Sequence, residues 1–119
     1  MDTFGFPIAH WEAAKAEARA AMIERARSQG TLSYTELVSQ ISTIKLEAHD
    51  IRLDRLLEQV ARDEDLAGRG ILTVVVVHKS GDKMPGPGFF ELAEQLGRNV
   101  SDRVVCWIEE LRKVHAQWP

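Results

Sequence analysis

Residues 71–78 read Ile-Leu-Thr-Val-Val-Val-Val-His, and no other stretch limits the fold as much. Four successive valines are β-branched and stiff at χ1, which suits a strand far better than a helix. The run is apolar on both faces, so the reading is a strand over about 71–79 that is covered on both sides. The chain continues as Ser80-Gly81-Asp82-Lys83-Met84-Pro85-Gly86-Pro87-Gly88. The first three of these residues are turn chemistry. Pro85 and Pro87 cannot donate to a ladder, so only a short edge strand fits beyond the turn.

Around this run the periodicity is helical. Ile8, Trp11, Ala14, Ala18, Met22 and Ala26 recur every three or four residues and predict a helix over about 8–29. Pro7 suits its first turn, and Gly30 suits its C-terminal stop. A short strand is expected at about 31–34. Ser33 with Glu36 forms the S-x-x-E capping-box pattern, which predicts a helix over about 34–42 that buries Leu37, Val38 and Ile41. A third helix is predicted at about 50–67, with Leu53, Leu56, Leu57, Val60 and Ala67 on one face and Arg55, Gln59 and Arg62 opposite. Helices at about 88–96 and 101–117 complete the chain, the second capped by Ser101 with Asp102 favourable beside it. No internal repeat or linker interrupts the 119 residues, so one domain is expected.

Composition narrows the function classes. Apolar residues make up 45% and charged residues 28%, an ordinary globular balance that argues against a disordered chain. No apolar run reaches membrane-spanning length. The N-terminus lacks the basic and apolar regions of a secretory signal. Cys106 is the single cysteine and cannot form an internal disulfide, so a cytoplasmic location is expected. The net charge is −3, and counted by segment the basic residues nowhere outnumber the acidic ones. Phosphate binding needs a basic cluster, and here it would require the fold to sort charges onto separate faces.

The order helix, short strand, helix, helix, strong strand, turn, helices resembles the winged helix-turn-helix family over residues 8–85. The resemblance implies an α+β, mostly α fold: three helices with a short antiparallel sheet, residues 71–84 as the wing, and a C-terminal helical extension. Its implied function is that of a small non-enzymatic regulatory module that binds double-stranded DNA through the third helix and the wing. Arg52, Arg55, Gln59 and Arg62 would then face bases, and Lys79 and Lys83 would meet phosphates. Three departures weigh against contact: Asp54 and Glu58 near the phosphates, the long turn from Ser42 to His49, and Asp82 with two prolines in the wing. The alternative is a protein–protein interaction or dimerisation module of the same fold that does not bind DNA. Separately, GRGILTVVVV followed by PGPGFFELAEQLG resembles small uncharacterised bacterial proteins, and no function comes with that likeness.

Each candidate residue also has a plainer structural reading. For the Arg55–Arg62 face the plainer reading, a solvated face with Glu58-to-Arg62 pairing, is the favoured one. Asp63-Glu64-Asp65 point in three directions on a helix, so a solvated helix end is expected and not a metal site. His10, His49, His78 and His115 show no ligand spacing, and no metal or cofactor is expected. Cys106 and His115 lie about 14 Å apart along one helix at 1.5 Å per residue, too far to act as nucleophile and base. Cys106 reads as a small buried apolar residue, and no catalytic constellation remains. The MPGPG segment reads as a rigid turn entering a helix, or as a surface exposing Met84 and Phe90. Trp11, Trp107 and Trp118 are expected to pack the first and last helices together, with Trp107 and Trp118 as candidate interface residues for a partner or homodimer.

Overall fold

A computed structural model describes residues 2–119. In chain order the elements are α1 (Ile8–Arg27), β1 (Leu32–Ser33), α2 (Tyr34–Ser39), α3 (Ile51–Leu66), a 3-10 helix (Leu72–Val75), β2 (Val76–Val77), α4 (Pro87–Gln95) and α5 (Arg103–Gln117). The two strands pair in parallel, with Leu32 beside Val76 and Ser33 beside Val77.

This overturns the winged-helix expectation, because a wing is an antiparallel hairpin and none forms among the described residues. Two physical reasons account for the difference. First, the front of the valine run meets helices, not a strand: it contacts α1, α3 and α5. With no neighbouring ladder, its backbone bonds to itself, as where Val74 N–H donates to the Ile71 carbonyl at 3.0 Å. Second, the returning arm is stopped. His78 N–H donates to the Met84 carbonyl at 2.9 Å, but Pro85 has no N–H and Pro87 already opens α4. A parallel pair needs a long crossover, and α2 and α3 supply it.

The valine run is still the centre of the molecule. Residues 71–77 are all buried. Trp11, Ala14, Ala18 and Met22 of α1 and Leu53, Leu56 and Val60 of α3 pack in the same core, and Val114 of α5 joins them. Each fully buried large side chain of this kind contributes about 1.5–3 kcal/mol. The alanines of α1 have small side chains, which lets the backbone of the 3-10 segment come close.

Element ends follow capping chemistry, with two corrections. At α2 both capping-box bonds form: Glu36 N–H to Ser33 Oγ at 3.1 Å and Ser33 N–H to Glu36 Oε1 at 3.0 Å. At α1 the left-handed residue is Gln29 (φ 59°) and not Gly30; the Gln29 amide secures the turn by donating to the carbonyls of Ala26 and His115. At α5 the cap is Asp102, not Ser101, and it accepts from the N–H groups of Val104 and Val105.

The segment between α2 and α3 is anchored rather than loose. Ile44 and Leu46 are buried, and the Glu17 carboxylate of α1 accepts from the backbone N–H groups and hydroxyls of Ser42 and Thr43. Those hydroxyl and amide hydrogen bonds lower the Glu17 carboxyl from 4.5 to about 2.

Two buried carboxylates bind α3 and α5 to the centre. Glu64, 2% exposed, is paired with Arg19 and Arg69, so the expected solvated acidic helix end is corrected at this residue. Burial alone would raise the Glu64 carboxyl, but the hydrogen bonds from Arg69 and Arg19 hold it below its ordinary value. Glu110, 4% exposed, accepts from Ile71 N–H at 2.8 Å and from Arg98 Nε and Nη2 at 2.9 and 3.0 Å. Arg98 also reaches Asp65 at 2.6 Å. No described helix is long and apolar enough to cross a membrane.

Candidate functional site

The parallel register decides what lies beyond the strands. Because Ser33 pairs with Val77, the next residues, Tyr34 and His78, emerge side by side at the strand ends. Their rings lie 5.3 Å apart at 44°. The chain then returns through the MPGPG segment, and Gly86 N–H donates to the Tyr34 hydroxyl at 2.9 Å. A methyl group at Gly86 would stand 3.4 Å from that hydroxyl and 3.5 Å from His78 Nε2, so the three groups form one tight corner.

The three residues of this corner line a cleft of about 640 Å³. The first turns of α3 form one wall with Ile51, Asp54, Arg55 and Glu58, and α4 forms the other with Glu91, Leu92 and Gln95. Val76, Leu57 and Phe89 provide apolar lining. The polar groups are unevenly satisfied. Arg55 pairs with Glu58 at 3.2 Å, and Arg62 reaches Glu58 at 3.3 Å and Gln95 at 2.5 Å. The Asp54 carboxylate has no hydrogen bond or ion pair with any described residue. Asp54 is exposed, and partial desolvation by its neighbours raises its carboxyl above the ordinary range; Arg55 opposes this and Asp50 reinforces it. Burial likewise raises the Tyr34 hydroxyl, with Gly86 N–H opposing and the Asp54 charge adding to the rise.

The residues expected to read DNA do not form a free row. Arg52 folds back on Asp50 at 2.7 Å and lies over the Phe6 ring at 5.1 Å. Gln59 accepts from Trp11 Nε1 at 2.8 Å and donates to the Asp2 carbonyl at 3.0 Å. Arg55 borders the cleft, and Arg62 bridges to α4. Lys79 sits at the cleft, while Lys83 is on the exposed turn with φ 53°.

The aromatic expectations are revised too. Trp11 is buried against Phe4 and Phe6 on the α3 side, not between the first and last helices. Trp107 is half-buried, its Nε1 donating to the Val74 carbonyl at 3.4 Å. Trp118 lies under Arg19 and Arg27 and so does tie α5 to α1. Phe90 is buried edge-on to Phe89, so MPGPG is a turn into α4 and does not expose that ring. Cys106 is buried, and burial raises its thiol. Among the described residues no three or more His, Cys, Asp or Glu side chains gather as metal ligands.

Spacing along the sequence does not group Tyr34, Asp54 and His78, because the crossover that joins them is a tertiary feature. The one local signal is the MPGPG turn, whose Gly86 reaches the Tyr34 hydroxyl. Comparison with protein-family models, with curated proteins and with solved structures finds no match to this chain.

Proposed function

We propose that this chain is a ligand-binding domain and that the cleft between α2, α3 and α4 takes a small molecule. The observation that carries the reading is the cleft itself: about 640 Å³, lined by apolar and polar side chains together, with Tyr34, Asp54 and His78 among them. Small-molecule sites commonly have about 300–1,000 Å³ and a few placed polar groups. Placement beyond the C-terminal ends of parallel strands supports it further, since open parallel sheets bind ligands there. Duplex DNA contact through Arg52, Arg55, Gln59 and Arg62 has less support, because all four are held by partners within the chain.

The test is a fragment screen followed by amide chemical shifts on the whole chain. The reading expects saturable shifts centred on Tyr34, Asp54, His78 and Gly86. Shifts centred elsewhere, or none for any fragment, contradict it.

One observation favours a second reading, self-association through α5: Val104, Val105 and Ile108 stand exposed together on its outer face. Light scattering across a concentration series decides it. A dimer that Val105→Lys dissociates supports it, and a monomer at every concentration removes it.

A further inference from the structure

We infer that the ligand of this cleft carries a cationic nitrogen, an ammonium or a guanidinium, that Asp54 holds as counter-ion against the Tyr34–His78 wall. The inference rests on the ligand-binding reading and names the chemistry of its occupant. Around Asp54 the neighbouring arginines of α3 make their ion pairs with other carboxylates. Arg52 is spent on Asp50, while Arg55 and Arg62 both turn to Glu58. Asp54 alone on this wall is left without a protein partner among the described residues, in the cleft that Tyr34 and His78 also line. An exposed carboxylate that lines a cleft and has no cation of its own gains from a ligand that brings one.

The other groups of the corner suit the same ligand. The face of a tyrosine ring attracts cations, and the Tyr34 ring lines the cleft 5.3 Å from that of His78. The Tyr34 oxygen takes one N–H from Gly86 and keeps a second lone pair for a donor from the ligand. Opposite, α4 adds Glu91, a further carboxylate without an ion pair among the described residues. Lys79 and His49 also line the cleft. Lys79 is exposed, and its ammonium ends a flexible stem that can turn to water.

An anionic ligand fits less well. The N-terminus of α4 begins with Pro87, which has no N–H, and the Phe89 N–H is used by the Gly86 carbonyl at 3.1 Å. An anion at this corner would also stand beside Asp54.

Three probes of one size separate the possibilities: benzylammonium, benzyl alcohol and benzoate, each titrated into the whole chain and followed by amide shifts. Benzylammonium is expected to shift Gly86 and the Ile51–Arg55 amides saturably, with benzyl alcohol at least tenfold weaker and benzoate weakest. Asp54→Asn should weaken benzylammonium at least tenfold and leave benzyl alcohol unchanged. Asp54→Glu, which keeps the charge, should recover part of the loss, so a folding defect is distinguishable. Benzoate binding as well as benzylammonium, or Asp54→Asn leaving benzylammonium unchanged, overturns the cationic assignment while the ligand-binding reading stands. If benzylammonium leaves the cleft amides unmoved while neutral or anionic fragments from the screen move them, the assignment is again overturned alone. A cleft silent to every fragment overturns both.

Discussion

Single residues hold the centre of this molecule through buried polar contacts. Glu110 satisfies one backbone N–H and one guanidinium from a site 4% exposed. Removing one partner of a buried pair leaves the other charge uncompensated, at a cost of roughly 3–5 kcal/mol. Glu110→Ala should therefore lower the urea midpoint by that much stability with an unchanged slope. Gly70 makes a second residue-scale case. It has φ +88°, and a methyl group there would stand 3.2 Å from Glu110 Oε2 and 3.3 Å from Val114 Cγ2. Gly70→Ala combines left-handed strain of about 1–2 kcal/mol with that crowding, so a clear fall in stability is expected in the same denaturation experiment. The capping box of Ser33 and Glu36 is the residue-scale feature read most directly from sequence, because its two bonds depend on residues three apart. The distant partners of Glu64 and Glu110 are not legible there, since Arg19 lies 45 residues from Glu64 and Ile71 lies 39 from Glu110.

At the scale of elements, the valine run shows where propensity yields to surroundings. β-Branched residues favour a strand, yet only Val76 and Val77 find one to pair with. The preceding residues are enclosed by helices and close their own hydrogen bonds in a 3-10 turn. The helices themselves are legible, because a period of three to four residues survives whatever they pack against. The segment joining α2 to α3 carries a prediction with a definite sign. Glu17 titrates at about 2 when folded and near 4.5 when its hydrogen bonds to Ser42 and Thr43 are absent. A depressed folded value means that this stabilisation is complete above the unfolded value and is lost as pH falls through the folded one. Glu64, also held low, acts in the same direction. Thermal midpoints should fall from pH 4.5 toward pH 2, and Glu17→Gln should flatten part of that slope while leaving the Glu64 part. A variant with the full wild-type slope would contradict the role of Glu17.

For the whole molecule, the crossover from β1 through α2 and α3 to β2 is what creates the cleft. An antiparallel wing in the same sequence would not pair Ser33 with Val77, and Tyr34 would not emerge beside His78. Fold class is hidden from the sequence for this reason: element order is visible, but strand direction depends on where the helices pack. Gly88 offers a direct test of the cleft that does not depend on destabilising anything. It lines the cleft, lies in the first turn of α4, and has open space where a side chain would begin. Leucine there should stabilise the helix by about 0.5–1 kcal/mol, since glycine is the weaker helix former. It should also occupy the cleft. The most direct measurement compares wild type and Gly88→Leu, each titrated with the strongest cleft fragment and followed at the Gly86 amide. A variant at least as stable as wild type that has lost the saturable shift is the predicted result. Undiminished binding to the filled variant would contradict the cleft as the ligand site.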